Sequence, residues 1–406
     1  MSTSQFKLPT LLSNQWLIKP SNEQEISELP TLGDIKKKLT EIEFKFPPDR
    51  EKHLSAGMPD ELKKHLGIDH ICDDKSKFIF TRTQMASSLK PNITQSHFLY
   101  RGEKKDYGSS KATVYRCSAN HLIENIKLAE FNILLESHPM VKMLMKGIKL
   151  SNEVELKLNN PYGIAQHYGF KTSLIDLTSD IDIASFFATT EHNKESDSYE
   201  IFKDNPYGVL YVYHMSLPFT HLTKMDGLSS IGLQPFPRPG IQKGFLWNCH
   251  PDFDKKNKSV RDLKDSSYVT TIYFRHDEKF TKSIIENTDH GRKIFPVDEL
   301  SEMALEISNN TEFSQESFDR NLGENPRDNK NNNIKILKEN GISINPNKQP
   351  YSFDNDNLES FYLRMHNGGW DQFCDQIEFP FEDNEILKAA LRNVIKNPLY
   401  KEFFGC

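Results

Sequence analysis

Apolar residues recur along this chain with two periods, and the changes between them mark its elements. Leu32, Ile35, Leu39 and Ile42 return at helical spacing behind Thr31, predicting a helix that Pro47-Pro48 ends. A second short helix is expected from Pro59 to Leu66, with acids in its first turn. Leu122, Ile126, Ala129 and Ile133 form one stripe of an amphipathic helix over Asn120 to Ser137, with Pro139 as its stop. Strand-like runs interrupt this pattern at His97 to Gly102, Thr172 to Leu177, Gly208 to Met215, Ile241 to Trp247 and Ser267 to Arg275. Ser179 and Asp182 are spaced as a capping box for the helix that follows the second of these. Further helices are expected over Glu278 to Thr288 and Val297 to Ile307.

Residues 308–355 lose the periodicity. Asn309-Asn310, Asn325-Pro326 and Asn329 to Asn333 dominate, which reads as a polar linker or irregular arm. Helical spacing returns in Leu358 to His366, closed by Gly368-Gly369, and in Asn384 to Lys396, stopped by Pro398. Strands and helices mix without a regular βαβ alternation, so the fold class expected is α+β. The boundaries are a helical segment at 1–90, an α+β domain at 91–307, the polar arm at 308–355 and a helical segment at 356–406.

Composition narrows the setting. A net charge of −6 argues against a general nucleic-acid or anionic-membrane binder. Five scattered cysteines, none spaced as CxxC, suit a reduced compartment. There is neither a secretory leader nor an apolar run long enough to span a bilayer, so a cytoplasmic protein is expected. The motifs GxGxxG, GxxxxGK, HExxH and GxSxG are all missing. Cys249-His250-Pro251-Asp252 gathers three potential ligands, but a structural zinc site wants four, so no metal is expected.

Candidate chemistry is densest in Gln166-His167-Tyr168-Gly169, continued by Thr172, Ser173, Asp176 and Thr178. Helix, turn, strand and helix there aim several hydrogen-bonding groups at one region, as working sites on rigid scaffolds do. Arg101, at the end of the first strand, presents a fork of donors suited to phosphate or carboxylate, beside a glycine that permits close approach. Glu130 is the helical acid whose orientation matters most.

Phe98-Leu99-Tyr100-Arg101-Gly102, Gln166-His167-Tyr168-Gly169, Thr172 to Thr178 and Ala184-Ser185-Phe186-Phe187-Ala188 occur in this order. Together they resemble the FRG domain family, a likeness extended by Gln242-Lys243-Gly244-Phe245 and, with one insertion, by Phe295-Pro296-Val297-Asp298. The resemblance implies a distant relation to the ADP-ribosyltransferase fold. There a mixed, mostly antiparallel split sheet with flanking helices grips NAD. On that analogy Arg101 contacts phosphate, and Gln166, Tyr168, Thr172 and Ser173 shape the pocket. His167 and Asp176 serve the chemistry, and Gln242 takes the late-strand place of a catalytic glutamate. Gln242 is not an acid. It can orient a ribose hydroxyl but only weakly stabilise positive charge, so Asp176 or Glu130 must reach the pocket if the ligand is turned over.

Two functions follow. In one, the chain binds an NAD-like nucleotide and transfers ADP-ribose to a protein target, in a toxin or phage-defence setting. In the other it is a non-catalytic interaction module whose polar cluster is structural. Convergence of Arg101, His167, Thr172 and Gln242 on one open cleft would favour the first; mutual satisfaction in the interior would favour the second.

Overall fold

The computed structural model describes residues 8–45, 78–82, 87–91, 98–116, 121–151, 154–157, 161–214, 227–231, 234–250, 259–323, 330–369, 374, 377–378 and 385–393. The short helix expected from Pro59 to Leu66 lies outside these residues.

The architecture is α+β, built on a six-stranded sheet. Its strands are β1 (Phe98–Glu103), β2 (Leu174–Thr178), β3 (Tyr207–His214), β4 (Leu228–Ser230), β5 (Gly244–Asn248) and β6 (Val269–Arg275). They run in the order β4-β5-β2-β1-β3-β6, and every pairing is antiparallel. Parallel pairing occurs in smaller sheets, between Phe78–Arg82 and Ile377–Glu378 and between Glu312–Ser314 and Ser343–Asn345. The large sheet is split at its middle: β1 and β2 meet only through Tyr100 and Thr178.

Alternation along the strands supplies both faces with apolar side chains. Leu99, Val209, Tyr211, Tyr213 and Trp247 pack on one side. Phe98, Tyr100, Leu210, Val212 and Phe274 pack on the other, against helix α1 (Leu32–Lys45). The stripe Leu32, Ile35, Leu39, Ile42 is the buried face of that helix, as its spacing predicts. Burying each such side chain stabilises by roughly 1.5–3 kcal/mol.

The long helix α2 (His121–Ser137) follows its apolar stripe, but Pro139 does not simply end it. Pro139 opens α3 (Pro139–Lys146), whose first turn is capped by the His138 side chain; proline fits there because its missing N–H would have no intrahelical partner. Next come α4 (Pro161–His167), α5 (Ile181–Thr189), the short α6 (Pro237–Ile241), α7 (Glu278–Asn287) and α8 (Ser301–Asn309). The cap of α5 is Asp180, which accepts from the Asp182 amide at 2.9 Å, in place of the expected Ser179–Asp182 box. Gly102 faces α5: a Cβ there would stand 2.1 Å from the Ala184 carbonyl oxygen, so the close approach it permits is that of a helix.

The described part of 308–355, residues 308–323 and 330–355, is not an irregular arm. It holds α9 (Gln315–Gly323), α10 (Lys330–Glu339) and the small parallel strand pair, and it sets Phe313, Phe318, Leu337 and Ile342 into the core around α2. Helix α11 (Asn355–Arg364) follows, with an Asp354–Asn357 capping box, and residues 385–393 are helical.

Candidate functional site

Where β1 and β2 part, a cleft of about 300 Å³ opens, lined among others by Arg101, Glu103, Gln166, His167, Asp176 and Gln242. Arg101 and Glu103 point to the face of Leu99 because strand positions two apart share a side. Asp176 alternates with Ile175 and Leu177 and so belongs to the opposite face. The gap in the sheet is what lets groups from both faces line one space.

Gln166 and His167 occupy the last turn of α4, and the chain beyond them is fixed. The Phe170 amide bonds the Ala165 carbonyl at 3.1 Å and the Gly169 amide bonds that of Gln166 at 3.2 Å, a Schellman closure. It requires the positive φ of 90° that Gly169 adopts without a steric cost. Gln242 is not on a strand. Pro237 and Pro239 start a short helix that runs into the stretch expected as a strand from Ile241, and Gln242 is its C-cap, ahead of β5. Gly244 lets β5 come close to the histidine, since a Cβ there would lie 2.8 Å from His167 Nε2.

The polar groups form a directed chain. Thr172 Oγ1 donates to Gln166 Oε1 at 2.6 Å, and Gln166 Nε2 donates to Asp176 Oδ2 at 3.1 Å. His167 Nδ1 stands 2.7 Å from Gln242 Oε1, and Gln242 Nε2 donates to the Ile294 carbonyl at 3.1 Å. His167 Nε2 faces Asp176 Oδ1 at 3.7 Å. Arg101 donates from Nε to Glu103 Oε1 at 3.0 Å and from Nη1 to the Asp176 carbonyl at 3.2 Å. Ser110 Oγ also donates to Glu103 Oε1, at 2.9 Å.

Three lining atoms are buried without a hydrogen-bond partner: Glu103 Oε2, His167 Nε2 and Asp176 Oδ1. Burial lowers the His167 pKa, and the opposing pull of Asp176 and Gln242 does not overcome it, so the ring is neutral near pH 7. Burial also works against the charge of Arg101, yet the Glu103 and Asp176 carboxylates hold its pKa above the ordinary guanidinium value. Lys104 and Arg116 add positive charge to the lining, and the half-exposed rings of Tyr107 and Phe187 complete it.

Arg101, Gln166, His167, Asp176 and Gln242 therefore come together, with Thr178 beside them, whereas Tyr168, Thr172, Ser173 and Glu130 do not line the cleft. Tyr168 turns into the core against Phe131 and Phe236, its hydroxyl donating to Asp298 and the Arg238 guanidinium 4.4 Å above its ring. Thr172 is committed to Gln166 and, as acceptor, to the Leu174 amide at 3.1 Å. Ser173 contributes its carbonyl to the Cys249 amide. Glu130 is fully buried, but it ties down Ser314, Ser317 and the Tyr351 amide. Of the two acids that could replace a glutamate, Asp176 reaches the cleft.

Glu103 and Arg238 went unnoticed in the sequence. Glu103 was readable as the residue two beyond Arg101 on the same strand face. Arg238, which bonds the His167 carbonyl at 3.3 Å, carries no local signal. The Cys249 thiol accepts from the Ala112 amide, and burial pushes its pKa up to about 11, which removes it as a nucleophile. Asp252 lies outside the described residues, and among those described no cluster of histidine, cysteine and acids could hold a metal. No helix among them is long and apolar enough to cross a membrane.

Residues 96–197 match the family model of the FRG domain. The match takes in β1, α4, β2 and α5, and it ends before Gln242. No curated protein and no solved structure matches the chain.

Proposed function

We propose, for a chain that carries an FRG domain at residues 96–197, that the cleft at the split of the sheet binds an NAD-like nucleotide. The observation that carries this reading is the set of three buried acceptors without partners beside the Arg101 guanidinium. Each such orphan costs about 1–3 kcal/mol, and here three of them gather around one open cleft. A ligand bearing hydroxyl donors, anionic phosphate and a flat ring would satisfy this lining: hydroxyls on the acceptors, phosphate at Arg101, Lys104 and Arg116, the ring against Phe187 or Tyr107. The volume is at the lower end of ligand pockets, which run from about 300 to 1,000 Å³. One end of a dinucleotide fits inside, with the remainder over the basic wall.

The arrangement also suits transfer of ADP-ribose to a protein target. The bond between ribose C1′ and nicotinamide breaks with its electron pair leaving on nicotinamide; an acceptor nucleophile then bonds C1′ and loses its proton. Positive charge builds on the ribose meanwhile, and Asp176 supplies the carboxylate that Gln242 cannot. The toxin or phage-defence setting rests on the family likeness alone.

One observation favours the interaction module: Thr172, Gln166 and Gln242 are engaged with each other's neighbours rather than with open space. Titration calorimetry with NAD on wild type, Arg101→Ala and His167→Ala, with an assay for free nicotinamide, separates the readings. Saturable binding lost in both variants supports the nucleotide site, and nicotinamide release supports transfer. No binding by folded wild type overturns the nucleotide reading in favour of the module.

A further inference from the structure

We propose that Gln242 is a positioning residue that holds His167 as its Nδ1–H tautomer, leaving Nε2 a bare acceptor that pairs with Asp176 Oδ1 to receive ribose hydroxyls. The proposal rests on the nucleotide reading for the identity of the donor, but the tautomer lock stands on geometry alone.

Each orientation in the chain of bonds is set by a group that has one role. The Ile294 carbonyl can only accept, so the atom of Gln242 that faces it at 3.1 Å is the amide nitrogen. The other end of that amide, Oε1, is then an acceptor, and at 2.7 Å from His167 Nδ1 it demands a proton there. A neutral imidazole carries one N–H, so Nε2 has only its lone pair. The other half is set by Asp176. Its carboxylate oxygen accepts, so the atom of Gln166 that faces Oδ2 at 3.1 Å is the amide nitrogen. Gln166 Oε1 then takes the Thr172 hydroxyl proton at 2.6 Å, while that hydroxyl accepts from the Leu174 amide. Asp176 Oδ1 is left over.

Two lone-pair atoms thus face each other across 3.7 Å with no proton between them, both buried and both without a partner. No protein side chain can be added from the β5 side, where even a Cβ on residue 244 would come within 2.8 Å of Nε2. The site wants donors from outside. A pair of neighbouring hydroxyls supplies one to each acceptor, and ribose is the part of a nucleotide that carries such a pair. Gln242 itself, engaged at both ends of its amide, is not the ribose contact.

The test uses the full chain with 15N-labelled histidine and long-range proton–nitrogen correlation spectra, the His167 signals being assigned from His167→Gln. Wild type is expected to show His167 with a protonated Nδ1 and an unprotonated Nε2. Gln242→Leu should lose that pattern, and Gln242→Glu, which keeps an acceptor at Nδ1, should retain it. A wild-type ring protonated on Nε2 overturns the lock whatever the variants do, as does an unchanged pattern in Gln242→Leu. The ligand arm compares NAD with an analogue lacking the 2′-hydroxyl of the nicotinamide ribose. A loss of about tenfold or more supports the hydroxyl assignment, since a hydrogen bond to a charged group contributes about 1.5–3 kcal/mol. Equal affinity overturns it. Failure of both ligands to bind overturns the nucleotide reading and the hydroxyl assignment together, and the spectrum alone still decides the lock.

Discussion

The chain buries two histidines in nearly the same way and with opposite results. His138 and His167 both lie in the interior, both have a pKa lowered by burial, and each faces a carboxylate oxygen from Nε2 at 3.7 Å. His138 uses Nδ1 to accept from the Val141 amide, so its proton sits on Nε2 and points at Glu299. Phe236, Phe353 and Phe361 wall the ring with their edges, and Arg364 grips Glu299 with both of its oxygens accepting. Donor faces acceptor there, although at 3.7 Å Nε2 makes no hydrogen bond, and the ring is fully enclosed. At His167 the tautomer is reversed, acceptor faces acceptor, and Asp176 remains 37% exposed. A donor or an acceptor at the same ring nitrogen, Nδ1, is enough to reverse what Nε2 presents to the carboxylate in front of it.

Substitutions should pull the two apart. The largest effect is expected at the closed site: His138→Ala opens a cavity among three phenylalanines and should cost about 3 kcal/mol in urea unfolding. Its NAD affinity, where the protein is folded, should match wild type. His167→Ala should cost under roughly 2 kcal/mol, because the lost Gln242 bond is offset by relief of the facing acceptors, while NAD binding disappears in calorimetry. Asp176→Asn should move stability the other way. Its amide nitrogen can donate to His167 Nε2 while its oxygen keeps the Gln166 bond, for a gain of roughly 0.5–1 kcal/mol and a loss of ligand. A destabilised Asp176→Asn would break the comparison.

The smallest effect is shared. His138, His167 and His276 all have folded pKa values below the ordinary 6.5. Between those values and 6.5 the unfolded chain binds protons that the folded chain refuses, so stability is full above about 6.5 and falls as the pH drops through the window. Melting temperatures taken from pH 7.5 downward should decline there by about a few degrees. Asp34, Asp106, Asp180 and Glu299, held below their ordinary values, add a loss of the same sign in more acid solution.

Much of this was legible in the chain itself. Stripes such as Leu32, Ile35, Leu39, Ile42 are local and periodic, and a helix forms wherever they can be buried. Arg101, Gln166, His167 and Asp176 stood out because their side-chain types are dense over a short stretch. The misses have physical causes. Residues 308–355 read as an arm because their average polarity is high, yet Phe313, Phe318, Leu337 and Ile342 suffice as anchors once Glu130 receives Ser314 and Ser317 from the far side. Tyr168 sits among polar neighbours in sequence but one residue past His167, where the helix turns it toward Phe131 instead of the cleft. The pairing of Gln242 with His167 joins distant segments and leaves no trace in either.

The split between β1 and β2 bears on how the protein comes to be made. β4, β5 and β2 bring Asp176 and hold His167 in place; β1, β3 and β6 bring Arg101 and Glu103. The two halves share one residue pair, and Arg101 reaches the Asp176 carbonyl across 75 positions of chain. The pairing of β1 with β3 inside one half spans a longer stretch still, so loop closure costs entropy on both sides of the split. The cleft needs both halves of the sheet in place, and neither half encloses that space alone.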